Sequence, residues 1–261
     1  SVTMDGEVTT VVEVPTQPSG LGWLPDGRML IVSMVDRKLL RLEADGLVEH
    51  ADLSAIATFH CNDMVVDAHG RAYVGNFGFD LDGFVAEHGL RAAFGEPGAP
   101  RATLARVDPD GSVHEAAPGL RFPNGAVITP DGSTMIVAET MGRRLSAFDV
   151  GADGSLSNQR VWAQFDRRLP DGICLDAEGR VWVANPAAAE CVLVAGCDGG
   201  PGEVVDVIET GQRCFAYMLG GPDGRDLFLL TARTEQPGLA ATEPAAQVLV
   251  ATVDVPHAGL P

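Results

Sequence analysis

The amino-acid sequence predicts an all-β fold, a β-propeller of four-stranded blades forming one domain over residues 1–261. Two observations carry this. Five ten-residue stretches align without a gap: SGLGWLPDGR (19–28), NDMVVDAHGR (62–71), NGAVITPDGS (124–133), DGICLDAEGR (171–180) and AYMLGGPDGR (216–225). Helical periodicity, by contrast, is nearly absent from the chain. A β-sandwich also uses short strands, but it does not require so strict a register.

The elements follow in order within each unit. Each aligned stretch is a short apolar segment running into a tight glycine turn, the pattern of a strand entering a hairpin. A second apolar segment follows: MLIVSM, AYVGNF, TMIVAE, VWVANP and LFLLTA. A third comes next: KLLRLEADG, ATLARVDPDG, RLSAFDVGADG, CVLVAGCDGG and QVLVATVDV. Four of the five units add an outer segment, as in LVEHADL, SVHEAAPGL, NQRVWAQF and EVVDVIE. The N-terminal TMDGEVTTVVEVP matches the third-strand turn and fourth strand of a blade, while the final unit has no clear fourth strand. Two blade counts follow. The N-terminal strand completes the last unit and closes a five-bladed ring, which removes exposed sheet edges. Alternatively the propeller has six blades, the first of them incomplete in this chain.

Composition narrows the function. The formal charge of −18 argues against nucleic acid or an anionic membrane as partner. No apolar run approaches the ~18 residues that a membrane span needs. The opening SVTMDGEVTT shows neither the basic start nor the apolar stretch of a signal peptide. The five cysteines are odd in number and contain no CxxC pair, so they read as reduced thiols of a cytoplasmic protein.

In a propeller the inner strands line the central channel, and their starting ends share one face. Position one of the register is occupied by Ser19, Asn62, Asn124, Asp171 and Ala216. The tetrapeptide LPDG occurs twice, yet Asp26 falls in a hairpin turn on the opposite face and Asp171 at the channel mouth. One carboxylate and two amide oxygens around an axis form a site for a hard cation such as Ca²⁺. Asn and Asp also start strands because they make Asx-turns. The long connection 78–100 opens onto the same face as a lid-like insert, as does 234–246. Glu139 and Asn185 end second strands there, as an outer shell or as solvated strand ends. His60, two residues before Asn62, is placed to orient a substrate or shuttle a proton, unless it simply packs. Cys61 and Cys174 read as core. No GxSxG elbow, P-loop or dinucleotide fingerprint occurs.

These motifs resemble the SMP-30/gluconolactonase/luciferin-regenerating-enzyme family over essentially the whole chain. The most specific pieces are FPNGAVITPDG (122–132) and LPDGICLDAEGRVWVA (169–184), with HCNDMVVDAHGRAYVG (60–75) looser. The resemblance implies a six-bladed propeller with a divalent metal in its channel, and here an incomplete first blade. It makes Asn124 and Asp171 protein ligands of the metal, and Asn62 a residue near it that contacts substrate or bound water. His60 stands where the family motif has Arg. The Glu that opens the family's first blade has no counterpart; Ser19 occupies the equivalent place in a unit that matches the second blade.

The implied activity is metal-dependent opening of a lactone in the channel, with Asp171, Asn62 and His60 as catalytic residues and Asn124, Asp171 and Asn62 around the metal. Ca²⁺ is the expected ion, with Mg²⁺, Mn²⁺ or Zn²⁺ as alternatives, and the expected partner is a small lactone or ester. Asp171 is a candidate general base, although ligation lowers its basicity. Two rivals stand beside this reading. One is another metal-dependent esterase or phosphotriesterase on the same fold; the other is a non-catalytic ligand-binding propeller.

Overall fold

The structure is a computed structural model and describes residues 1–95, 98–196, 202–233 and 245–259. Four sheets have four antiparallel strands each, and a fifth has three among the described residues. Blade one is β1 (Pro18–Trp23), β2 (Met29–Ser33), β3 (Lys38–Glu43) and β4 (Gly46–Asp52). Blade two is β5 (Cys61–Val66), β6 (Ala72–Asn76), β7 (Ala102–Val107) and β8 (Val113–Leu120). Blade three is β9 (Pro123–Ile128), β10 (Thr134–Glu139), β11 (Arg144–Val150) and β12 (Leu156–Gln164). Blade four is β13 (Ile173–Leu175), β14 (Val181–Asn185), β15 (Glu190–Ala195) and β16 (Glu203–Glu209). Blade five holds β17 (Arg213–Gly220), β18 (Asp226–Ala232) and β19 (Gln247–Thr252).

The protein therefore has five blades, which corrects the six-bladed expectation. Residues 1–17 form no sheet strand; they contain only an isolated bridge between Val2 and Val8, and Val8 and Val11 are exposed. The physical reason is pairing. A strand-like sequence with no inner strands to hydrogen-bond is at best a lone hairpin, which is marginal in water. Nor does this segment complete the last sheet.

Inner strands pack side by side in chain order, β1 on β5, β5 on β9, β9 on β13 and β13 on β17. Strand alternation sends successive side chains to opposite neighbours, so the core is a set of layers between blades. Leu30, Val32 and Leu39 meet Val66, Val74 and Val107; Tyr73 and Leu104 meet Met135, Val137 and Phe148. Ile136 and Ala147 meet Val181, Val183 and Val192; Trp182 and Leu193 meet Leu219, Leu227 and Leu229. On the outward faces of the first and last blades, Leu21, Trp23, Met218, Leu230, Val248 and Val250 stay about half exposed.

The hairpins at the far end from the mouth are clasped by aspartates. Asp67 accepts from the backbone of His69 and Arg71 and pairs with Arg71 Nε at 2.6 Å; Asp176 does the same with Glu178 and Arg180. Asp26 of the first LPDG belongs to this class, taking Arg28 Nε at 2.8 Å and the Arg28 backbone N–H at 3.1 Å. The turn glycines of the register, from Gly27 to Gly224, have positive φ, as such tight turns require. Among the described residues no helix is long and apolar enough to cross a membrane.

Candidate active site

The inner strands are irregular at the first positions of the repeat. Register shifts fall between Pro18 and Leu21, between Cys61 and Met64, between Cys214 and Ala216, and in β9 opposite Val137–Glu139. Bulges interrupt strict alternation and re-aim side chains, and they recur beside active sites. Ser19, Asn62 and Asn124 sit in these irregular stretches, Asp171 two residues before β13, and Ala216 just past the shift in β17.

Asn124 and Asp171 are brought together on neighbouring blades. Gly125 donates its N–H to the Asp171 carbonyl at 3.2 Å, and a Cβ on Gly125 would lie 2.6 Å from Ile173 N and 2.7 Å from that carbonyl. Gly172 meets blade five the same way, its N–H bonded to Phe215 O at 2.9 Å. The second register position is therefore glycine so that inner strands can touch backbone to backbone. Asn124 is buried, and its Nδ2 donates to Thr140 Oγ1 at 3.2 Å. The Thr140 hydroxyl in turn donates to Pro170 O at 2.7 Å, directly before Asp171. With Nδ2 committed, the amide oxygen Oδ1 has its orientation fixed.

Asn62 is also buried, and its Nδ2 has no hydrogen-bond partner among the described residues. A buried amide donor left unmatched is costly, and it suits an oxygen supplied by a ligand. Beside it stands Asp63, which takes the register position that is glycine in three other units. Its carboxyl is pushed up to about 6 by burial. The sequence reading passed over Asp63. The signal was available: a carboxylate where blades one, three and four carry Gly20, Gly125 and Gly172.

His60 is half-buried immediately before β5, stacked on Phe59 with ring centroids 4.1 Å apart and edge-on to Phe77 at 6.0 Å. The insert is not structureless. It folds into α1 (Leu81–His88), capped by Asp80 accepting from Gly83 N at 3.0 Å, and the short α2 (Leu90–Ala93). Phe79, Ala93 and Ala99 pack with Phe122 and Met141, seating the insert on blade three beside the channel mouth. The second long connection, 234–246, lies almost wholly outside the described residues.

Glu139 and Asn185 are not solvated strand ends. Glu139 is fully buried and accepts from Arg121 N at 2.7 Å, Arg144 Nε at 2.8 Å and Ser146 Oγ. Asn185 Oδ1 accepts from Leu169 N at 3.1 Å and its Nδ2 donates to Glu190 Oε1 at 2.8 Å, so it braces the loop that carries Asp171. Cys61, Cys174, Cys191 and Cys214 are free and buried, and burial raises every one of these thiols, Cys61 to about 12. None is a nucleophile at neutral pH. Among the described residues no group of three or more His, Cys, Asp and Glu is arranged to hold a metal.

The sequence profile of the SMP-30/Gluconolactonase/LRE-like region matches residues 1–233. The chain belongs to the SMP-30/gluconolactonase/LRE-like family. Regucalcin of Danio rerio is 25% identical over 223 residues, which are 84% of this chain and 67% of the relative. Pentonolactonase XacC of Haloferax volcanii is 26% identical over 218 residues, 82% of this chain and 67% of the relative. Among solved structures a luciferin-regenerating enzyme superposes with a TM-score of 0.73 at 19% identity, over 94% of this chain and 81% of that one. At that identity the superposition speaks for the fold. Within this SMP-30/gluconolactonase/LRE-like chain, hydrogen bonds from Gly125 to Asp171 and from Asn124 through Thr140 to Pro170 join the segments that carry Asn124 and Asp171, and Asn62 stands on the adjoining blade.

Proposed function

We propose that this chain is a metal-dependent hydrolase that opens a lactone at the mouth of the propeller channel. The observation that carries the reading is the Asn124–Thr140–Pro170 relay, which fixes the Asn124 amide and ends on the carbonyl directly before Asp171. Asn124 Oδ1 and Asp171 would hold a divalent cation, Ca²⁺ being favoured by all-oxygen donors, with Mg²⁺, Mn²⁺ or Zn²⁺ as alternatives. When bound, the cation supplies Lewis acidity to the lactone carbonyl.

The chain's own residues do the rest. The unmatched Nδ2 of Asn62 donates to the carbonyl oxygen as negative charge develops there, or holds the attacking water. Asp63, with no hydrogen bond or ion pair among the described residues, is a candidate to receive the water's proton, and Asp171 is the other. His60 orients the substrate from the rim, and the 78–100 insert covers it from the side of blade three. The small neutral or weakly polar substrate suits a chain that carries a net charge of −18 and no basic patch in its motifs.

The test uses the two LPDG copies. Asp171→Ala is expected to lower kcat/KM for lactone hydrolysis by about 100-fold or more, whereas Asp26→Ala leaves it within a factor of about two, as surface changes do. An Asp171→Ala protein that is folded and unimpaired overturns the reading.

A further inference from the structure

The rim of the site carries a feature that narrows the substrate. Rings run continuously across the mouth-side ends of blades two and three. Phe59 stacks on His60 at 4.1 Å and 26°, His60 meets Phe77 edge-on at 6.0 Å and 60°, and Phe77 lies against Phe122 at 4.3 Å and 33°. Their positions tie them to the site. His60 is two residues before Asn62, Phe77 directly follows β6, and Phe122 is two residues before Asn124. Phe122 is held at φ 61°, in the left-handed region that a bulky residue rarely adopts, with its carbonyl accepting from Thr140 N at 3.1 Å. Such an outlier beside a candidate ligand is a fixed part of the site's wall. Phe59, His60 and Phe77 remain only half-buried, so ring surface is left for a ligand.

Apart from the Asn62 Nδ2 and Asn76 Oδ1, which have no partner among the described residues, the polar groups around the same rim are engaged. Thr58 Oγ1 donates to Gly78 O at 2.8 Å, and Thr140 Oγ1 serves Asn124 and Pro170. Asn76 Nδ2 donates to Thr103 O at 2.7 Å, and Glu139 is saturated by Arg121 N, Arg144 and Ser146. A polyhydroxylated ring placed here would exchange water for phenyl faces and lose hydrogen bonds. A flat apolar ring would instead gain offset-stacked and edge-to-face contacts.

We infer that the substrate is an aryl lactone or aryl ester, whose aromatic ring lies against Phe59, His60 and Phe77 while its carbonyl reaches Asn62; the inference rests on the hydrolase reading above. Purified full chain with Ca²⁺ is assayed on dihydrocoumarin and on glucono-δ-lactone. Dihydrocoumarin is expected to be favoured in kcat/KM by about tenfold or more. Phe77→Leu, which keeps apolar bulk and the fold but removes the ring, is expected to lower that preference to about threefold or less, mainly through KM. Equal or better turnover of the sugar lactone, or a preference unchanged by Phe77→Leu, overturns the inference. If neither lactone is hydrolysed the hydrolase reading fails, and binding of chroman, the non-hydrolysable ether, measured by saturation-transfer NMR then decides. Chroman binding that weakens in Phe77→Leu supports the aromatic subsite; no chroman binding overturns it.

Discussion

Thr140 does for Asn124 what a second coordination sphere does in a metal site: it occupies the amide nitrogen and so aims the oxygen. Removing its hydroxyl while keeping its shape frees the amide to rotate and leaves Pro170 O without its donor. Thr140→Val is therefore expected to weaken Ca²⁺ binding about tenfold to 100-fold, with Thr140→Ser restoring most of it, as read by calorimetry. The placement of Asn124 and Asp171 at the starts of neighbouring inner strands was legible in the sequence because a gapless register gives their positions directly. Thr140 was not, because it lies one residue past a strand end and its role depends on a carbonyl in the next blade. Asp63 was legible only by contrast with the glycines that share its position. His60 was visible, but its ring neighbours Phe59 and Phe77 become neighbours only when β5 pairs with β6.

At the scale of elements, the inner strands are held in mutual contact by glycine and braced from behind by buried charge. The Gly125 N–H to Asp171 O contact leaves no room for a methyl group. Gly125→Ala is expected to force blades three and four apart and to reduce lactone turnover more than it reduces stability, seen by comparing kcat/KM with urea unfolding. Glu139 ties β10 to β11 through Arg144 and Ser146 with a fully buried carboxylate. Truncating one member of such a pair leaves the other uncompensated, so Glu139→Ala is expected to cost about 3 kcal/mol in a denaturant titration. In the sequence Glu139 reads as an outer-shell residue or a solvated strand end, and its burial was not legible because Arg144 and Ser146 reach it only across the β10–β11 hairpin. The insert shows the opposite limit: its length was plain, while its two short helices and their aromatic seat on Phe122 were not.

For the whole molecule the blade pattern was legible and the blade count was not. Residues 8–14 are rich in Val and Thr as a fourth strand is, but strand formation needs a partner, and pairing is not a local property. The five-bladed arrangement leaves Trp23 about half exposed while Trp182 is buried between blades four and five. Acrylamide is accordingly expected to quench a large share of the emission, and Trp23→Phe to remove much of that share; quenching that does not change in Trp23→Phe would mean that the outward face of blade one is covered.

In the proposed function Asn124 and Asp171 hold a cation on which lactone opening depends. Its most direct test is turnover of a lactone by chelated protein, followed by Ca²⁺ titration with activity and heat recorded together. Turnover is expected to be lost on chelation and to recover at about one equivalent of bound Ca²⁺, with neither binding nor recovery in Asp171→Ala. Full turnover by the chelated protein would contradict it.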